Sequence, residues 1–253
     1  MRIAIKFAYD GRNFHGFARQ PNLKTIEGEL IKHLIQHGLI EDATKARLRS
    51  SSRTDGGVSA LGNVVAFNTG SSEKQVFQKL INDSADPDIL VYGMKVVELD
   101  FYPRYAKWRI YRYYLNKNNL NLDEILSVAS IFIGEHNFNN FARVEANKDP
   151  VRTIDNIVLT EEDDFFIIDF YAQTFLWNQV RRVASAIEKV GTGKLTKKQI
   201  TDALDNPDKK VDFGLAPPEP LILKDVIYDF EFEYKKNYLE KLGELEKRII
   251  LSL

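Results

Sequence analysis

The chain has 253 residues, 44% hydrophobic and 28% charged, enough for one large domain or two modest halves with a sizeable core. It contains no cysteine, which excludes disulfides, thiolate metal sites and thiol catalysis, and its four histidines (His15, His33, His37 and His136) are too scattered for a zinc motif. Charges interrupt the opening segment and no run approaches ~18 apolar residues, so the expectation is a soluble cytoplasmic protein with no membrane contact and no metal.

A formal net charge of −1 argues, at face value, against a nucleic-acid partner. The charges are nevertheless blocked along the chain. Residues 1–60 carry a net +4, 61–100 a net −3, 101–120 a net +5, 121–174 a net −8, 175–200 a net +5 and 201–253 a net −4. Such blocks either scatter over an ordinary surface or fold into one basic face backed by an acidic one, which would steer a polyanion.

In chain order, residues 2–9 alternate with Ile3, Ile5, Phe7 and Tyr9 on one face, which predicts a half-buried strand. Asp10 and Gly11 supply a turn. A helix is predicted over 25–37, capped by Thr25, with Ile26, Leu30, Ile31, Leu34 and Ile35 inward and a stop at Gly38. A polar loop at 50–57 leads to a strand near 63–68, a short helix near 74–82 and a strand over 89–98. The second half repeats this order: a strand over 108–115, a helix over 122–133, strands over 151–159 and 165–171, helices over 175–190 and 196–205, a strand over 221–233 and a charged helix from about 235. A soft boundary near 101–106 separates an N-terminal half, 1–103, from a C-terminal half, 104–253. No GxGxxG or Walker signature accompanies these elements, so a doubly wound nucleotide-binding fold is disfavoured. The fold class is α+β, two α/β halves with mainly antiparallel strands and helices on one side.

Three segments carry candidate chemistry. In the loop Ser51 to Gly57, Asp55 is followed by two glycines and preceded at two residues by Arg53. An Asp-Gly pair is either an ordinary turn or a place where backbone comes close to a ligand, and an arginine partner would keep the carboxylate ionised for use as nucleophile or base. Residues 101–117 hold five basic and seven aromatic side chains and no acidic ones. As a strand, Arg109, Tyr111, Tyr113 and Leu115 face one way, an arrangement that suits either stacking on unpaired bases or an ordinary core. The helix over 175–190 buries Val180, Val183 and Ile187 and leaves Arg181 and Arg182 as either a solvated pair or a pair that holds a carboxylate or phosphate.

Ser52-Arg53-Thr54-Asp55-Gly56-Gly57-Val58-Ser59-Ala60-Leu61-Gly62 closely resembles the GRTDAGVHALG signature of the tRNA pseudouridine synthases of the TruA family. Tyr9-Asp10-Gly11 with Arg19-Gln20-Pro21, Arg109-Ile110-Tyr111-Arg112-Tyr113, Pro150-Val151-Arg152-Thr153-Ile154, Phe175-Leu176 through Gln179-Val180-Arg181-Arg182, and Ala216-Pro217-Pro218 resemble its other motifs, in family order. Departures fall at Ser52, Gly56, Ser59 and Arg182, where that pattern has Gly, Ala, His and Asn.

The resemblance implies two α+β halves sharing one continuous sheet, a basic cleft between them, and a homodimer gripping one tRNA. It implies isomerisation of uridine to pseudouridine in the anticodon arm, at positions of the 38 to 40 type, with no cofactor. Asp55 would be the catalytic aspartate, Arg53 or Arg181 would hold its carboxylate, and Tyr111 would stack on the flipped base and serve the proton step. Arg19, Gln20, Arg53, Arg109 and Arg182 would contact RNA. A non-catalytic RNA-binding protein of the same fold is the alternative. A glycosidase is disfavoured because no second carboxylate neighbours Asp55.

Overall fold

The structure, a computed structural model, describes residues 1–82, 86–234 and 236–253. In chain order the strands and helices are β1 (Arg2–Tyr9), α1 (Ile26–Gln36), β2 (Arg49–Ser50), β3 (Ser59–Asn68), α2 (Glu73–Asn82), β4 (Ile89–Val97) and β5 (Trp108–Asn116). They continue as α3 (Leu122–Ala129), β6 (Gly134–Asn137), β7 (Val151–Ile154), β8 (Asn156–Glu162), β9 (Phe165–Ala172), α4 (Gln179–Gly191), α5 (Lys197–Asp205), β10 (Leu221–Ile227), β11 (Glu233–Tyr234) and α6 (Tyr238–Ile250). The fold is mixed α+β, and its strand pairs are antiparallel apart from the parallel pairing of β10 with β3. Among the described residues, no helix is long and apolar enough to cross a membrane.

The chain divides into two compact units, Met1–Lys107 with Ile222–Leu253, and Trp108–Leu221. Ile222 and Leu223 register with Ser59 and Ala60 of β3, within the first unit.

In the first unit, β1 lies between β3 and β4. All eight of its residues are buried, so it is not the half-buried strand its alternation suggested. The second face is closed because its two charges are answered internally. Lys6 pairs with Asp225 at 2.5 Å and lies over the Phe232 ring, and Arg2 donates to neutral oxygens of Phe101, Arg47 and Asn68. Thr25 caps α1 by accepting from the Gly28 amide, as read from the sequence; the helix buries Ile26, Leu30, Ile31 and Leu34 but leaves Ile35 exposed and turns His33 inward.

In the second unit, β5, β9 and β8 form an antiparallel run, and β6 with β7 a separate ribbon. The single strand expected over 151–159 is therefore two, broken at Asp155, whose amide turns to the Tyr171 carbonyl. The helix expected over 122–133 ends at Ala129 in a short 3-10 turn. The helix expected from 175 starts at Gln179, because Asn178 adopts a left-handed conformation (φ 62°) and Trp177 instead bridges to Arg143.

Candidate active site

Asp55 occupies the loop between β2 and β3, and a buried polar network fixes that loop from beneath. The Tyr9 hydroxyl, fully buried, is 2.8 Å from the Thr54 hydroxyl, one residue before Asp55. Asn63 joins the network by donating to Tyr9 Oη and to the Ser52 carbonyl and by accepting from the Ser51 hydroxyl. Satisfied buried networks of this kind hold one geometry because any rearrangement strands a donor or acceptor away from water. The loop then closes on itself, the Val58 amide donating to the Asp55 carbonyl with Gly57 at φ 84°. Asp55 is left half-buried, while Arg53 is exposed and makes no ion pair among the described residues.

The segment from Asp10 to Gln20 supports the other side of the same loop. The Phe17 amide donates to the Thr54 carbonyl, and the Gly11 amide donates to the Ser59 hydroxyl. Asp10 is 1% exposed; burial works against its charge, but hydrogen bonds from Arg12 outweigh that and hold the carboxyl below its ordinary range. Arg248, from the last turn of α6, reaches the Asp10 and Asp88 carboxylates at 3.7 and 3.1 Å. Gln20 donates to the His15 carbonyl, and Arg19 lies 3.7 Å from Glu27 with most of its side chain in solvent.

In the second unit, Tyr111 sits on β5 opposite Phe170 of β9, 9% exposed, with its ring edge-on to Phe175 at 5.3 Å. Tyr113, two residues on, donates to the Pro217 carbonyl; burial, with Glu188 nearby, pushes its phenol above the ordinary value. Arg181 on α4 donates through Nε to the Ala216 carbonyl at 2.8 Å, and the Ala216 amide returns a bond to the Arg181 carbonyl. Thus β5 and α4 both grip the 216–217 segment, whose Ala-Pro-Pro sequence fixes its backbone.

Two other sequence candidates are engaged within this unit. Arg109 is buried and donates to the Gln173 carbonyl, and Arg182 binds Asp212 at 2.8 Å. Arg112 forms a two-pronged bond to Asp169, its partner in strand register, at 2.8 and 2.9 Å.

A family model described as tRNA pseudouridine synthase matches residues 128–229. The tRNA pseudouridine synthase A of Thermococcus sibiricus is 42% identical, with 96% of this chain and 91% of that protein covered. The chain belongs to the tRNA pseudouridine synthase family. Proteins of the same name from Methanobrevibacter smithii and Pyrococcus abyssi are 38% and 41% identical, each over 98% of this chain and 93% of the relative. A solved chain from a Cbf5-Nop10-Gar1 complex aligns with 74% of this chain and only 44% of its own length, at 14% identity and a TM-score of 0.35.

As a tRNA pseudouridine synthase, the chain spends its motif residues in two ways. Some are exposed or half-exposed at the loop, as Asp55 and Arg53 are; others, such as Tyr9, Asp10 and Ser59, are buried braces. Sequence reading placed Asn63 in the Ser52–Val65 motif without a role and missed Arg248. Asn63 carried a signal, a polar residue inside an apolar strand, whereas Arg248 sits 238 residues from Asp10 in a charged helix that looks like an ordinary solvated one.

Proposed function

We propose that this isomerase converts uridine in tRNA to pseudouridine with Asp55 as its catalytic carboxylate. The reaction breaks C1′–N1, turns the uracil, forms C1′–C5, removes the proton from C5 and leaves a proton on N1, so atoms and electrons balance without a redox partner. It needs an ionised carboxylate at the sugar or base, an aromatic surface for the displaced ring and an acceptor for the C5 proton. Asp55 supplies the first, held by Arg181, while Arg53 is left to the RNA; Tyr111 supplies the second and serves the proton step. The target base must leave its stack, at a cost of a few kcal/mol that is smallest in a loop or at a stem end, which favours the anticodon arm. Arg19, Gln20, Arg53, Arg109 and Arg182 belong to the RNA-facing set of the same proposal. So do a shared sheet with a basic cleft between two similar halves, a homodimer and a cytoplasmic location.

The observation that supports this reading most is the Asp55 loop: a carboxylate left half-exposed on a turn whose neighbours are pinned by buried hydrogen bonds. Preorganisation of this sort is what a group acting at one atom of a large substrate requires. The test is Asp55→Ala assayed at saturating tRNA in a single turnover. Pseudouridine formation is expected to be abolished while the tRNA dissociation constant stays near the wild-type value. A variant with near-normal turnover would remove Asp55 from the reaction.

A further inference from the structure

Residues 1–60 contain ten basic side chains, and the structure sorts them sharply. Lys6, Arg12, Arg19, Lys24, Lys32 and Lys45 each pair with a carboxylate. The four left are Arg2, Arg47, Arg49 and Arg53, and none of them makes an ion pair among the described residues. Arg47, Arg49 and Arg53 are exposed while Leu48, Ser50, Ser51 and Ser52 are buried, so the three guanidinium-bearing side chains are what this segment turns outward. This run ends two residues before Asp55.

Two further features mark the far end of the run. Arg2 is 2% exposed, and it donates to the Phe101 and Arg47 carbonyls and the Asn68 side chain, all neutral, so its charge is solvated locally but not cancelled. A buried, uncancelled guanidinium projects its field to the surface above it. Burial first, and then the charges of Arg47 and Arg49, hold its pKa below the ordinary value, which places the three guanidiniums within reach of one another's fields. Arg47 is also backbone-strained, at φ 48°. Every other described non-glycine residue at positive φ is Asn or Asp, the types that tolerate that region. A long cationic side chain kept where Asn or Gly would fit better suggests a role for the side chain itself.

We propose that Arg47 and Arg49, with the Arg2 charge beneath them, form a phosphodiester-binding track that continues from Arg53 and guides the tRNA backbone toward the Asp55 loop. The inference rests on the tRNA reading above. The number of separate cations selects the ligand: a free phosphate or mononucleotide carries its charge at one point, whereas a polynucleotide presents charges at every step.

The experiment measures tRNA affinity against salt for wild-type protein, Arg47→Asn, Arg49→Gln and the exposed control Lys241→Gln, with thermal unfolding of each. Arg47→Asn and Arg49→Gln are each expected to reduce the slope of log K against log salt by about 0.7 to 1, with Lys241→Gln at the wild-type slope. Arg47→Asn is expected to unfold at or above the wild-type temperature, since Asn suits the left-handed backbone. Wild-type slopes in both arginine variants, an equal change in the control, or a lowered unfolding temperature in Arg47→Asn would overturn the proposal. Pseudouridine formation by the wild-type protein on the same tRNA is scored separately, so that an inactive wild-type protein whose arginine variants still show reduced slopes counts against the catalytic reading and not the track.

Discussion

Gly56 and Gly11 flank the Asp55 loop and answer differently to an added methyl group. A Cβ on Gly56 would meet the Gly16 nitrogen and Phe14 oxygen at 3.6 Å, an ordinary contact, so the glycine that stands where the family pattern has Ala is replaceable. A Cβ on Gly11 would meet the Val58 carbonyl oxygen at 2.0 Å, and that oxygen is backbone with nowhere to go. Gly56→Ala is therefore expected to be neutral or to stabilise by up to about 1 kcal/mol through the unfolded chain. Gly11→Ala is expected to lower stability and turnover together. Urea unfolding of both variants checks this; destabilisation by Gly56→Ala comparable to that by Gly11→Ala would contradict the geometry of the loop.

The β5–β9 pair shows how charge enters an element without surfacing. Arg112 and Asp169 are register partners, 17% and 7% exposed, and burial of Asp169 is tolerable only with the guanidinium across from it. Arg112→Ala is expected to cost about 3 to 5 kcal/mol because it strands a buried carboxylate, while replacing both residues by apolar ones of similar volume should cost much less. Chemical denaturation of the single and double variants measures the difference, and a loss under about 1 kcal/mol for Arg112→Ala would show the pair to be effectively solvated. This pair also marks where sequence reading stops. Alternation showed which side of β5 bears Tyr111 and Tyr113, and cap chemistry placed Thr25, because both are local. That Arg112 would be consumed by a residue 57 positions away, or that 151–159 would break at Asp155, depends on long-range pairing that no local period encodes. The Asp55, Tyr111 and Arg181 motifs were legible from spacing and resemblance; the Tyr9–Asn63 brace and the Arg248 contact were not.

For the whole molecule, the net charge of −1 divides into cations that are used up and cations that are left. In the most basic short block, 101–120, Lys107, Arg112 and Lys117 pair with Asp229, Asp169 and Glu161 from the acidic segments. Segment 47–53 keeps its arginines. Block counting located the charge, and only pairing showed which part of it stays available to a polyanion. One conversion tests the assigned reaction directly. Purified wild-type protein is to be incubated with unmodified tRNA, without added metal or cofactor, and the RNA digested to nucleosides while the supernatant is analysed for free base. Pseudouridine should accumulate at the expense of uridine with no uracil released; release of uracil, or unchanged nucleosides at saturating protein, would contradict it.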